Sequence, residues 1–432
     1  MTTPYKFLLL SFSAVTVVVI LSSFFVRSRP GSAAFPYKKA GLTERQAAAH
    51  LLSRFTYGPS ADGVDEAIKA GLEQWFEQQL QADLPDEGLD SQLGKYESLT
   101  MSNAQIVQEY QRYGDILRMA VREGVIDKDS IDKTDKKAYR EKIYAYAKEK
   151  GVKPHQQLIK EFGSQKILRA LYSQNQLQEV MTEFWFNHFN VSFSKVACAP
   201  FIPAFERDVI RPNALNNFET LLMATAKSPA MLLYLDNARS TGAMTSKDSL
   251  TKKGEPKRVK GLNENYAREV MELHTLGVDG GYTQKDVTDA ARVLTGWTVF
   301  PMGDSPYSKD VKKQIAKYGE EKLKARGFVR DGDFLFAPGR HDKDEKTVLG
   351  KTFAPGGGCE EGIELLRMLA KHQSTASFIS KKLAVRFVND NPSQNLVERM
   401  SKTFLEKNGD IKNVLRTLVY SPEFWAADAV RE

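Results

Sequence analysis

The sequence predicts a mainly α-helical globular body, with a short irregular or β segment around 330–355 and an apolar helix at the N-terminus. Three observations predict it. Apolar residues recur at spacings of three and four along most of the chain, the period of a helix face. Residues that start and stop helices fall at the ends of those runs. No alternation of strand and helix patterns points to a Rossmann-type sheet. The 432 residues are 42% hydrophobic and 27% charged, a composition that excludes a disordered chain.

The N-terminal segment from Phe7 to Val26 is twenty residues without a charge, long enough to span a bilayer core. Small residues at Ser32 to Ala34 offer a cleavage site, so residues 1–29 read as a signal anchor or a signal peptide. Arg27 and Arg29 follow the apolar run and oppose export by the positive-inside rule. A globular body behind a single N-terminal apolar segment favours it. The protein is therefore expected to be exported to the periplasm or envelope, and to meet the membrane through this segment. Residues 30–42 read as a linker and 43–432 as the body.

The body opens with Thr43 and Gln46 in a capping-box pattern, followed by Ala48, Leu51, Leu52 and Phe55 at helical spacing. Gly58-Pro59 stops that helix. A second is expected from Ala61 to Leu80, with Leu72, Trp75, Phe76 and Leu80 on one side. Residues 81–160 are charged and helix-prone and read as an inserted, exposed helical hairpin. Further helices are expected at 161–190, 203–210, 215–225, 263–275 and 284–296, the last from a capping pattern at Thr283 and Asp286. Residues 301–358 are the least regular, with short strands at Phe334–Phe336 and Thr347–Leu349. Helices at 360–371, 374–388, 393–407 and 411–419 close the chain, separated by breaks such as Asn391-Pro392 and Asn408-Gly409.

The formal net charge is +7, and its one concentrated excess runs from Lys247 to Lys260, with six basic and two acidic residues. That run has no interleaved aromatics for base stacking, so no nucleic acid is expected as a partner. Cys198 and Cys359 have no metal-ligand spacing, which excludes a cysteine-based zinc site. Gly350-Lys351-Thr352 resembles the end of a phosphate loop, but Glu345 stands where the first glycine of that motif is needed.

Two stretches carry the densest chemistry. In "GLNENYAREVMELHTLGVDGG", taking about 100° per residue from Glu264, Arg268 stands at about 40°, Glu272 at about 80° and Glu269 at about 140°. Ala267, Val270, Met271 and His274 take the opposite arc. Glu272 and His274 thus face different ways and cannot form a helical metal pair. Glu264–Arg268 and Arg268–Glu272 are expected as successive ion pairs. In "LQEVMTEFWFNHFNVSF", Glu183 lies among Phe184, Trp185, Phe186 and Phe189. A buried carboxyl there would have a raised pKa suited to general acid–base work. A Lys or Arg from another helix would instead tie it down. His188 sits on the aromatic seam of the same helix. In a loop, His341 beside Asp342, Asp344 and Glu345 offers ligands of a hard-metal type.

The stretches "AAHLLSRFTYGPS", "EFWFNHFNVSFSK", "PAMLLYLDNARS", "GLNENYAREVMELHTLGVDGGYTQKDV", "ARVLTGW" and "HDKDEKTVLGKTF" resemble, in order, the bacterial family named for domain of unknown function 1800. The agreement runs from about residue 43 to the C-terminus. It departs at Gln373-Ser374, where the family more usually has Pro-Ala. The resemblance implies an exported, largely helical protein, commonly encoded beside an exported sulfatase-like protein. It names no activity and no cofactor. The motif residues that match are Glu183, His188, Asn190, Asp236, Asn263, Glu264, Arg268, Glu269, Glu272, His274, His341 and Asp342.

Two classes of function follow as expectations. One is an exported or membrane-anchored envelope enzyme, a hydrolase or transferase. It would take its acid–base groups from Glu183, Glu264, Glu269 or Glu272, with Arg268 as an orienting cation. Asn190, Asp236 and Asn263 would bind substrate, and a metal-dependent version would use His188, His274, His341 and Asp342. The other is a non-catalytic envelope protein that binds a partner, such as the sulfatase-like product, and whose polar cluster is structural. The enzyme reading requires Glu183, Asn190 and the 264–272 face to share one cleft.

Overall fold

The computed structural model describes residues 34–127, 136–242, 261–303 and 306–431. The apolar stretch 7–26 and the basic run 247–260 lie outside the described residues. Among the described residues, no helix is long and apolar enough to cross a membrane.

α1 (Glu44–Phe55) begins at the Thr43–Gln46 capping box that the sequence predicts. The helix expected over 61–80 is two, α2 (Ala61–Ala70) and α3 (Leu72–Gln81). Gly71 between them has φ 84°, which a residue with a side chain adopts only under strain, and the chain turns there. Leu72, Phe76 and Leu80 nevertheless share the buried side.

The charged stretch folds as α4 (Glu87–Leu93), α5 (Asn103–Glu109), β1 (Tyr110–Gln111), α6 (Tyr113–Arg122), α7 (Lys136–Glu149) and β2 (Lys153–Pro154). Ile116, Ala120, Ile143 and Tyr146 give α6 and α7 a small core of their own. β1 and β2 pair in parallel. α8 (His155–Tyr172) and α9 (Gln176–His188) follow as separate helices.

Where the sequence predicts plain helix at 203–210, α10 (Ile202–Ala204) and α11 (Arg211–Asn213) are joined by a π-helical turn, Phe205–Ile210. Pro212 has no N–H to give and its ring crowds the carbonyl four residues back, so the regular ladder fails there. Next come α12 (Phe218–Lys227), α13 (Pro229–Tyr234), α14 (Asn265–Glu272) and α15 (Gln284–Val293). The second predicted capping box, at Thr283 and Asp286, starts α15.

The stretch read as irregular is more ordered than its sequence suggests. β3 (Trp297–Val299) precedes two helices, α16 (Pro306–Tyr318) and α17 (Glu320–Ala325). β4 (Val329–Asp331) and β5 (Phe334–Phe336) then complete an antiparallel sheet of order β3-β5-β4. β6 (Lys346–Val348) and β7 (Lys351–Phe353) form a hairpin whose turn residues, Leu349 and Gly350, have φ 51° and 77°. Gly350 thus serves a tight left-handed turn.

α18 (Cys359–Ala370), α19 (Gln373–Phe387), α20 (Gln394–Glu406), α21 (Ile411–Val419) and α22 (Ala427–Arg431) close the chain. At the start of α19, His372 Nδ1 accepts from Ser374 N at 3.1 Å, a side-chain cap where the family's proline is missing. One large core joins the two ends of the body. Phe55 of α1 lies 5.1 Å from Phe76, 4.9 Å from Phe387 and 5.5 Å from Phe424, ring centre to ring centre. Trp185 of α9 meets Phe218 of α12, which meets Phe404 of α20. These contacts set α9 beside α19.

Candidate functional site

α9 is held from below by buried charge. The π-helical turn carries Glu206, 2% exposed, into the space beneath α8 and α9. There Lys166 reaches Glu206 at 3.1 Å and Glu183 at 2.5 Å. Arg211 reaches Glu206 at 2.7 Å and also pairs with Glu179, which Arg169 approaches at 3.7 Å. Burial opposes the Glu206 carboxylate, yet Arg211, Lys166 and Gln165 together hold it below the usual carboxylate range. Glu183 is therefore the tied-down carboxylate. Lys166 and the Asn187 amide, at 3.0 Å, occupy its oxygens.

The outer side of α9 opens on a cleft of about 270 Å³, lined by Tyr57, Val180, Glu183, Phe184, Asn187, His188, Lys382 and Arg386. His188 crosses from α9 to α19. Its Nε2 lies 3.0 Å from the His274 carbonyl and its Nδ1 3.0 Å from Lys382 Nζ. A carbonyl only accepts, so Nε2 carries the proton and the bare Nδ1 accepts from the lysine. Burial first, then Lys382 and His274, push His188 well below the usual histidine range. Burial and Lys382 lower His274 to about 3. Both rings are neutral. Burial also lowers Lys382, and among the described residues it has no carboxylate in ion-pair range.

This group has the form of an activated side chain: a reactive atom hydrogen-bonded to an imidazole whose far nitrogen is fixed by a third group. A second, larger groove of about 810 Å³ continues from the cleft and shares Phe184, Lys382 and Arg386 with it. Its walls are the loop 276–279 and the outer faces of α19 and the start of α20. Gly277, at φ 84°, brings that loop so near α19 that a Cβ would stand 3.0 Å from the Phe378 ring.

The other expected residues lie elsewhere. Glu264 accepts from Arg268 at 3.2 Å, Gln284 at 2.8 Å and Thr288 at 2.7 Å, and Arg268 gives a further bond to Gln284 at 2.8 Å. These bonds stitch α14 to α15 along a half-exposed seam. Arg268 thus turns to Gln284, and the expected pair with Glu272 does not form. Glu272 instead lies against Tyr282, whose hydroxyl pKa burial and Glu272 raise. Glu269 is raised by burial and by Glu272. α14 ends at Glu272, so His274 belongs to the following turn and is buried at 5% exposure. Neither cleft is lined by residues 264–272.

Asn263 caps the backbone N–H of Asn265 at 2.9 Å. Asp236, in the left-handed region at φ 61°, pairs with Lys195 at 2.6 Å. Asn190 is exposed at the end of α9. Only Glu183 and His188 of the expected residues line the cleft, and His274 supports it through its carbonyl.

His341 and Asp342 belong to a separate buried clip. Arg292 grips Asp342 with a two-pronged contact of 2.9 and 3.1 Å. Lys346, 1% exposed, bonds the Asp342 carbonyl at 2.5 Å and Glu361 at 2.7 Å. His341 Nδ1 lies 2.9 Å from the Thr295 carbonyl, and its Nε2 lies 3.4 Å from Glu361. The clip fastens α15, β6 and α18 together. Among the described residues no group of three or more His, Cys, Asp or Glu is arranged to hold a metal ion. Cys198 and Cys359 are buried, free thiols.

Lys382, Lys381 and Arg386 are absent from the sequence-based expectations, although a signal for them exists. α19 reads "QSTASFISKKLAVRF" and contains no acidic residue, so its three cations have no partner one turn away.

Residues 50–432 match the model of a family described as protein of unknown function (DUF1800), and the chain belongs to that family. No curated protein and no solved structure matches it.

Proposed function

We propose that this DUF1800 member is an exported envelope enzyme, a hydrolase or transferase, that works in the cleft between α9 and α19 with Lys382 as its general base. The observation that carries the reading is the chain of contacts Lys382 Nζ–His188 Nδ1 and His188 Nε2–His274 O, each 3.0 Å. In its unprotonated form, which burial favours, Lys382 spends one amine N–H on His188 and its lone pair faces the cleft. It takes a proton from water or from an acceptor hydroxyl, and the oxygen so activated adds to the electrophilic centre of the substrate; the bond from that centre to the leaving group then breaks as the Lys382 ammonium returns the proton to it. His188 is a positioning residue: burial keeps it neutral, so it accepts the hydrogen bond without taking the proton. Glu183 and Asn187 line the far wall.

The apolar run from Phe7 to Val26 supports export, with the membrane met through that segment, and the resemblance supports a co-encoded sulfatase-like protein as a partner. For Glu264 and Arg268 the structural reading is favoured, because their bonds close on Gln284 and Thr288 and leave no group directed at either cleft.

Competitive acetylation with acetic anhydride, read by mass spectrometry across pH, tests the proposal without a known substrate. The reaction of Lys382 should level off at a lower pH than that of its neighbour Lys381. Coincident profiles for the two lysines would remove Lys382 as a base.

A further inference from the structure

The larger groove combines two features that a folded protein seldom leaves uncovered together. Its walls are more apolar than polar: Leu276, Val278, Phe378, Val385 and Val397 line it beside Gln373, Ser374, Ser377 and Gln394, and Val278 and Val385 are 68% and 37% exposed. Isolated exposed aliphatics are ordinary, but these share one concave surface. Its rim is cationic. Lys381 and Arg386 line it beside Lys382, and among the described residues neither makes an ion pair. Asp279 is the one acid in the lining. The groove is also long. From Gln373 to Arg386, both in its lining, α19 rises roughly 20 Å at about 1.5 Å per residue.

We propose that this groove binds an amphiphilic anion, a carboxylate or phosphate head joined to an unbranched apolar chain. The head sits on Lys381 and Arg386, and the chain lies along α19 over Phe378, Val278 and Val397. Where Val278, Phe378, Val385 and Val397 meet the ligand, an alkyl chain is favoured over a sugar, because a hydroxyl set against those side chains leaves water without a partner. The volume of about 810 Å³ lies in the range of small-molecule sites. The inference deepens the preceding reading by naming the ligand class beside Lys382. It rests on that reading only for what becomes of the ligand afterwards.

The test is titration calorimetry of the full chain with dodecanoate and dodecyl phosphate below their micelle concentrations. Dodecyl maltoside, hexaglutamate and an oligogalacturonate serve as comparison ligands. Both anionic amphiphiles should bind at one site. Lys381→Gln and Arg386→Gln should each weaken them up to about five-fold, the upper range for an exposed charge pair. Val385→Asp should abolish binding with the thermal midpoint unchanged. Agreement between the two heads points to the shared anionic chemistry, and a preference for one identifies the source. Equal binding of dodecyl maltoside, or tighter binding of hexaglutamate or the oligogalacturonate, overturns the proposal, as does no binding at all. The acetylation profile of Lys382 is measured on the same samples. A Lys382 profile that levels off below that of Lys381, without dodecanoate binding, removes the ligand class alone, and binding with coincident lysine profiles removes the general base alone.

Discussion

Lys382 Nζ of α19 lies 3.0 Å from His188 Nδ1 of α9, two residues 194 positions apart, with no acid between them. A buried amine usually finds a carboxylate, as Lys346 does at Glu361. Lys382 has a neutral ring instead. Such an arrangement does little for stability, which is one reason to assign it to function.

Lys382→Met should therefore leave the unfolding free energy within about 1 kcal/mol of the parent. The lost bond to His188 is offset by a desolvated amine that no longer needs burying. Urea denaturation at pH 7.5 checks this. A loss above about 3 kcal/mol would mark Lys382 as a structural group.

Glu206→Gln should behave in the opposite way. It removes the carboxylate that Arg211 and Lys166 share, although Glu179 and Glu183 remain as their partners, and the expected loss is about 1–3 kcal/mol. Glu264→Gln, on the half-exposed α14–α15 seam, should cost below about 1 kcal/mol. The two denaturation curves measured side by side separate a core network from a surface one.

The buried histidines predict a stability that falls in mild acid. His50 is lowered to about 4, with burial as the main cause, His274 to about 3, and His188 well below its ordinary value. Below about pH 6.5 the unfolded chain takes up protons at these positions and the folded chain does not. Their contribution is complete above that pH and is lost progressively as pH falls towards the folded values. Each adds a slope of at most about 1.4 kcal/mol per pH unit. Between pH 6 and 5, where His155, lowered by burial and Arg112, adds to the slope, His50→Gln should lower it by about a quarter to a third, read from urea midpoints at several pH values. An unchanged slope would show that His50 is already charged in the fold.

Gly277→Ala should cost about 1–2 kcal/mol, since its φ of 84° suits glycine and the added methyl would press on Phe378 at 3.0 Å. Because the same residues wall the groove, dodecanoate affinity should fall with it. Thermal melting and calorimetry on one preparation check both effects.

The sequence made local features readable and left the meeting of distant ones hidden. Thr43 with Gln46 and Thr283 with Asp286 signal their helices because a capping box is complete within four residues. Phe334–Phe336 is legible as a strand for a similar reason. Gly71 reads as the interior of a long helix because periodicity continues through it, and only its backbone angle breaks the run. α16 and α17 were missed in a stretch dominated by charge and glycine. At the site, Glu183 and His188 stood out by their aromatic surroundings. Helical angles give the face of Glu264 and Arg268 but not what lies opposite, and that turned out to be Gln284 and Thr288 of α15. Lys382 was invisible because its significance depends on α9, which no spacing within α19 reveals.

The π-helical turn at Phe205–Ile210 has a consequence for sequence length. A turn of that kind holds one residue more than the α-helical turn it replaces. Deleting a single residue between Glu206 and Arg211 would let the segment relax to regular helix with its flanks still in register. The pair, five residues apart across the π-helical turn, would then stand four apart on one helical face, and the charge that steadies α9 would keep its centre. The alignment of this segment is thus a matter of residue count as much as residue type, and a one-residue gap at this turn should be tolerated better than the same gap in a regular helix, where it turns one half of the buried face by about 100°.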